Sequence, residues 1–292
     1  MHAEVEGWAK RASAAGVEEF SALIDAAKEA LNREKESRAG SGLVLIAPEA
    51  VNTVAVIGDI HGDLESLVHI LGDPDVGEAD KIIFLGDYGD RGTESVEVYH
   101  LLLMLKVSAG EGEKIILLRG NHEGPPDMPV MPHDLPLFFT RKYGVRGREL
   151  YTRIKELWEY LPHAVLVPGS YLMAHGGLPA TVTSVEDIAS ARETHPSSSI
   201  FEEILWSDPI EGTGYFVSMR GAGWMFGEDI TDVILRAVGV KTFIRSHEPC
   251  EGVEVRQSGK VLTLFSRKGA PYYNNRAAYL ILDEPMLRDA VD

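Results

Sequence analysis

Three short aliphatic runs, at 54–57, 81–85 and 114–118, each end in a glycine-flanked turn rich in acids, amides and histidines. The turns read GDIHGD at 58–63, GDYGDRG at 86–92 and RGNHE at 119–123. The runs are too short for helices, and their β-branched content suits strands. Apolar residues at helical spacing fill the intervals, over 64–71 and 94–106. That order predicts a βαβαβ unit with parallel strands. All three turns then lie at strand C-terminal ends, the edge where open α/β sheets bind ligands, and glycine lets backbone approach a bound group closely.

The rest of the chain adds helical pattern over 134–161, punctuated by Gly147 and Leu161-Pro162, and strand-like runs at 164–167, 171–174 and 241–244. The end is β-rich, with runs at 253–256, 261–265 and 277–282, so an α/β (α+β) mixed β-sandwich flanked by helices fits better than a purely parallel sheet. Ahead of it, Val17, Phe20, Ile24, Ala27 and Leu31 recur at helical spacing until Gly40-Ser41-Gly42 breaks the pattern. The expected division is a helical extension and linker over 1–42 and a catalytic domain over 43–292. The extension reads as an amphipathic helix packed on its own domain in preference to an arm for a regulatory or second-copy partner.

Composition excludes several classes of function. With 28 Lys and Arg against 45 Asp and Glu, the net charge of -17 repels nucleic-acid backbones and anionic membranes, and an anionic substrate must meet a locally positive site. No apolar run approaches the ~20 residues of a membrane span. A lone cysteine, Cys250, and no leader-like start point to a reducing cytoplasm.

Asp59, His61, Asp87 and Asn121 offer carboxylate, imidazole and amide ligands, a set suited to Mn, Fe or Zn and without thiolate. His175 in AHGGLP and His247 in RSHE follow strand-like runs in the same way, which makes ligands enough for two ions. A shared carboxylate is the usual means of holding a metal-bridging hydroxide for in-line attack on phosphorus, and Asp87 is the expected bridge. Taken singly, a GD or HG dipeptide marks a turn; three in order are hard to read that way. His69, His100, His133, His163 and His195 lack such context and read as surface or packing positions.

These segments resemble the signature of the phosphoprotein phosphatases, the Ser/Thr phosphatases that include type-1, type-2A and calcineurin catalytic subunits, over roughly 54–282. The resemblance implies a metallo-dependent phosphatase fold with two divalent cations, Mn first and Fe or Zn as alternatives. It makes Asp59, His61 and Asp87 ligands of one, and Asp87, Asn121, His175 and His247 ligands of the other. It makes His122 the general acid oriented by Asp90, and Arg91 and Arg220 the phosphate-clamping arginines, joined at the phosphate by Asn121. LWSDP at 205–209, HGGLP at 175–179 and LTLFS at 262–266 agree in order.

Departures are Gly89, where the family carries a larger residue, the segment RKGAPYYNNRAAYL, where Tyr272 or Tyr273 takes the place of an active-site tyrosine, and the proline-rich GPPDMPVMPHDLP after Glu123. The last is expected to gate or select substrates. The implied activity is hydrolysis of phosphoserine or phosphothreonine in proteins by a metal-bridging hydroxide, with a phosphoprotein as partner. The alternatives are a small-molecule phosphoesterase, for dinucleoside polyphosphates or cyclic nucleotides, and a silent binding module that keeps the fold.

Overall fold

The computed structural model of the chain describes residues 2–38, 40–110 and 113–289, so the ends of the expected division, residue 1 and residues 290–292, lie outside it. Its strands are β1 Leu43–Leu45, β2 Thr53–Ile57, β3 Lys81–Phe84, β4 Ile115–Leu117, β5 Ala164–Val167, β6 Tyr171–Ala174, β7 Asp208–Pro209, β8 Tyr215–Val217, β9 Trp224–Phe226, β10 Thr242–Arg245, β11 Val253–Arg256, β12 Val261–Leu264 and β13 Tyr279–Asp283. The helices are α1 His2–Ala14, α2 Val17–Ser37, α3 Leu64–Gly72, α4 Pro74–Glu78, α5 Ser95–Ser108, α6 Leu135–Tyr143, α7 Arg146–Trp158, α8 Val185–Ala189, α9 Ala191–Thr194, α10 Ile200–Trp206, α11 Glu228–Val238 and α12 Glu284–Arg288.

Continuous aliphatic strands imply burial on both faces, and this is how β2, β3 and β4 are used. They run parallel, with β13 antiparallel on the outer side of β2, in a sheet ordered β13-β2-β3-β4. The second sheet has the order β1-β5-β6-β10-β12-β11 and mixes parallel with antiparallel pairs. Successive side chains of a strand point to opposite faces, so each strand serves two layers. Val54, Val56, Ile83, Leu85, Ile116 and Leu118 pack between the sheets against Val165, Met173, Ile244 and Leu264. Ala55, Ile57, Ile82, Phe84, Ile115 and Leu117 face the helices α2, α3, α5, α6 and α7. Leu166, Leu172, Ala174 and Phe243 face α8, α10 and α11 on the far side. The result is the expected mixed sandwich with a βαβαβ core, helices outside both sheets.

A small sheet, β7-β9-β8, was not expected from the sequence. Its strands are two or three residues long, too short for a periodicity to register. It carries the segment that leads to Arg220.

Helix α5 explains the most apolar stretch of the chain. It is buried around nearly its whole circumference, including Tyr99, His100, Leu101, Leu102 and Leu103, because the sheet lies below it and α1, α2 and α6 cover it. Phe20, Ile24, Ala27 and Leu31 of α2 belong to the same buried cluster as Leu101 and Leu102. His100 lies against Phe20 with ring centroids 4.9 Å apart, and Lys106 ends on Glu34 and on the carbonyl of Ile115. No helix among the described residues is long and apolar enough to cross a membrane.

Truncating a wholly buried aromatic removes its transfer energy and leaves a cavity, so Phe20→Ala should destabilise the folded chain by about 3–5 kcal/mol. Denaturant unfolding of the two proteins measures this; a difference under about 1 kcal/mol, the size of an ordinary surface effect, would show that α2 rests on the domain without sharing its core.

Candidate metal centre and active site

The residues singled out in the sequence converge on one edge of the sandwich. Asp59 and His61 follow β2, Asp87, Asp90 and Arg91 follow β3, Asn121 and His122 follow β4, His175 follows β6 and His247 follows β10. A parallel bridge between Asp59 and Phe265 joins the two sheets at that edge. Five of these residues hold left-handed backbone: His61 (φ 43°), Asp87 (57°), Asp90 (63°), Arg91 (65°) and His247 (72°). Such conformations cost energy in a non-glycine residue and persist where surrounding structure over-determines them. Here they turn each side chain off the end of its strand towards a common centre.

Asp87 stands at that centre, 2% exposed. One oxygen, Oδ2, lies 3.3 Å from His61 Nε2, and the other, Oδ1, lies 3.4 Å from His175 Nε2. Asp59 Oδ2 is 3.6 Å from the same His61 nitrogen. On the other side His175 Nε2 lies 3.0 Å from Asn121 Oδ1 and 3.1 Å from His247 Nδ1. A single carboxylate thus divides its oxygens between two groups of donors, one with Asp59 and His61 and one with Asn121, His175 and His247.

The protonation pattern tests whether cations fit there. His61 Nδ1 donates to the Gly89 carbonyl at 2.8 Å and His175 Nδ1 to the Leu85 carbonyl at 3.0 Å. This second hydrogen bond fixes the tautomer of a metal-binding imidazole. It leaves both Nε2 lone pairs facing Asp87 oxygens, a contact that needs a shared proton or a cation to become favourable. The amide of Asn121 can turn either end to this group; with the oxygen inward it meets only acceptors, and with the nitrogen inward it donates to His175 Nε2 and both Asp87 oxygens. His247 Nε2 has no hydrogen-bond partner.

Burial pushes the Asp59 carboxyl up to about 6, against the hydrogen bonds from Ser246 and the His247 backbone. Burial, then the nearby charges of Asp59 and Glu123, pushes Asp87 far above the ordinary carboxylate range. Burial likewise holds His61, His175 and His247 well below the ordinary imidazole value. Burial and crowding thus disfavour the charged form of every group at this centre, and divalent cations would turn that repulsion into attraction. The donor set fits them.

Beside this centre His122 is hydrogen-bonded through Nδ1 to Asp90 Oδ2 at 2.5 Å, and its Nε2 is 3.9 Å from Asp87 Oδ2. Burial alone would raise the Asp90 carboxyl, but the hydrogen bonds and charge of His122 and His133 outweigh it and hold it far below the ordinary range. Asp90 therefore stays ionised. His133 is a correction to the reading of the sequence: it is a direct partner of Asp90, with Nδ1 at 2.7 Å from Oδ2, and not a surface or packing residue. The two are 43 residues apart, and nothing local to either announces the contact.

Arg91, Arg220 and Tyr272 line a pocket of ≈ 390 Å³ together with His61, Asp87, Asn121, His122 and His247. Of the two tyrosines, Tyr272 stacks on His61 with centroids 5.7 Å apart, whereas Tyr273 is 79% exposed. Arg220 reaches the rim with its Nε on Asp208 Oδ2 at 2.5 Å, and Asp208 is held in turn by the buried Arg245 at 2.8 Å. Pro129, Val130 and Met131 of the proline-rich segment form one wall. At Gly89 a Cβ would sit 3.0 Å from Leu135 and Tyr99 side-chain carbons, so the departure to glycine reflects close packing beneath the loop.

Two supporting residues escaped the sequence reading. Glu123, wholly buried, accepts from the backbone N–H groups of Asp87, Tyr88 and Gly120 and from the Tyr99 hydroxyl, and so shapes the loops after β3 and β4 together. Ser246 receives the Asp59 N–H at 2.8 Å and donates to the Asp59 carboxylate. Glu123 and Ser246 adjoin the motif residues His122 and His247 in sequence, and that adjacency was the available signal.

The fold and site agree with comparisons to known proteins. Residues 53–251, more than half of the chain, match the calcineurin-like phosphoesterases. A solved Ser/Thr phosphatase from Saccharomyces cerevisiae, described as similar to human phosphatase PP5, is 28% identical with a TM-score of 0.79, covering 92% of this chain and 83% of its own. A cold-active protein-tyrosine phosphatase from a psychrophilic Shewanella is 19% identical with a TM-score of 0.54, covering 82% of this chain and 77% of its own, a likeness of fold. On the family match and the sandwich that carries it, this chain belongs to the calcineurin-like metallophosphoesterases and shares the architecture of the phosphoprotein phosphatases.

Proposed function

We propose that this phosphoesterase is a metal-dependent protein phosphatase that hydrolyses phosphoserine and phosphothreonine monoesters. The observation that carries the reading is the His122–Asp90 pair beside Asp87, in the pocket that Arg91 and Arg220 also line. A serine or threonine alkoxide is a poor leaving group and needs a proton as the P–O bond breaks. Phosphate or nucleotide leaving groups need it far less. The likeness to a Ser/Thr phosphatase at 28% identity supports the same class.

Asp59, His61 and Asp87 would hold one divalent cation, and Asp87, Asn121, His175 and His247 a second, Mn being the first to test. When bound, the cations supply Lewis acidity towards the phosphoryl oxygens and a water of lowered pKa. The chain's own groups do the rest. Arg91 and Arg220 bring positive charge to an otherwise acidic protein and suit bidentate contact with the equatorial phosphoryl oxygens. Hydrolysis adds water across the P–O bond; His122, its Nδ1 engaged by ionised Asp90, is the group to deliver the proton to the departing oxygen, giving the free hydroxyl and inorganic phosphate. Tyr272 stacks over His61 and narrows the pocket on that side.

Three outcomes are expected. Chelation should abolish phosphate release from a phosphoserine peptide and Mn should restore it, while Asp87→Asn is inactive in either condition; faster turnover of diadenosine tetraphosphate than of the peptide would overturn the substrate class. His122→Ala should lower kcat on the peptide by about 10²–10⁴-fold, with a smaller loss on p-nitrophenyl phosphate, whose leaving group needs no acid. Equal losses on both would remove His122 from the acid role. Arg220→Ala, read by steady-state kinetics, should lower kcat/KM on both substrates by about 10²-fold, the usual cost of one donor to the transition state.

A further inference from the structure

The catalytic turn after β3 is gripped by one segment of the departing loop. Asp90 Oδ1 accepts the backbone N–H groups of Asp134 and Leu135, each at 2.6 Å, at the start of α6. Its Oδ2 accepts His122 Nδ1 at 2.5 Å and His133 Nδ1 at 2.7 Å. The next residue, Arg91, donates from Nη1 to the Pro132 carbonyl at 2.8 Å. Residues 132–135 thus hold both Asp90 and Arg91, two consecutive residues with φ of 63° and 65°, in a conformation that has to be enforced from outside.

Within that grip His133 is the one side chain. Its Nε2 meets the Tyr151 hydroxyl at 2.7 Å, and Tyr151, on α7, is itself packed against Phe139 and Trp158 with centroids 6.1 and 6.3 Å away. With Nδ1 donating to the carboxylate, Nε2 accepts the tyrosine proton, so the tautomer is set from both ends. The chain Tyr151, His133, Asp90, His122 runs from a rigid helix to the pocket. The donor atoms of Asp90, His122 and His133 lie close enough to suggest a third cation site. Direct hydrogen bonds already satisfy them, which distinguishes them from the facing acceptors around Asp87.

We infer that His133 is a positioning residue for catalysis, anchored by Tyr151, which fixes the Asp90 carboxylate so that it presents His122 to the leaving oxygen. The inference rests on the phosphatase reading above. A carboxylate held by four donors has one orientation, and an imidazole hydrogen-bonded to it at 2.5 Å inherits that orientation. His133 is not among the residues that line the pocket of Arg91 and Arg220.

The full-length Mn-loaded chain and its variants His133→Ala, His133→Asn and Tyr151→Phe, assayed on a phosphoserine peptide and on p-nitrophenyl phosphate with metal content measured in parallel, test this. His133→Ala should lower kcat on the peptide by about 10–100-fold, as loss of an orienting partner does, with KM within about twofold, a smaller loss on p-nitrophenyl phosphate and unchanged metal content. His133→Asn, whose amide nitrogen can stand in for Nδ1, should recover most of that loss, and Tyr151→Phe should show a milder version of it. An active wild type with an equally fast His133→Ala overturns the inference and leaves the phosphatase reading intact. So does a loss equal on both substrates, absent rescue by asparagine, or a fall in bound metal. A wild type inactive on both substrates overturns the phosphatase reading, and this inference with it.

Discussion

A buried carboxylate between two groups of imidazoles is unfavourable in isolation, and the architecture is organised around holding Asp87 in that position. Asp87 and Asp59 lie under 3% exposed with His61 and His175 facing them. Charged groups tolerate such burial only when paired or bound to metal. The loops that hold them cannot relax, because each starts from a strand buried on both faces and Glu123 ties the turns after β3 and β4 to each other. Cation binding then gains from repulsion that the fold has already enforced.

The same rigidity extends to Asp90 and His122. Asp90 stays ionised in a buried position because four donors surround it, and its hydrogen bonds orient the imidazoles of His122 and His133. The pocket sets Arg91 and Arg220 beside Asp87 and the histidines, so it gathers positive charge in an otherwise acidic chain.

The proline-rich segment does more than line a wall. Its C-terminal end reaches Asp90 and Arg91 directly, through Pro132, His133 and the start of α6. Substitutions in this loop therefore act directly on Asp90 and Arg91.

Much of this was legible in one dimension. Periodicity revealed the βαβαβ core because strands buried on both faces must be aliphatic throughout, and the turns carrying Asp59, His61, Asp87, Asn121 and His122 stood out because ligand chemistry at strand ends requires glycines and donors side by side. His175 and His247 were found by the same juxtaposition. What the chain could not disclose by itself were contacts between segments with no local mark. His133 meets Asp90 across 43 residues, Ser246 meets Asp59 across 187, and the small sheet leading to Arg220 is built from strands too short to show a period. Tyr272 was separated from Tyr273 only by the path of the loop. Local pattern records which face of a strand or helix is buried; which buried donor meets which acceptor is set when the two sheets pack, and that packing alone brought the site together.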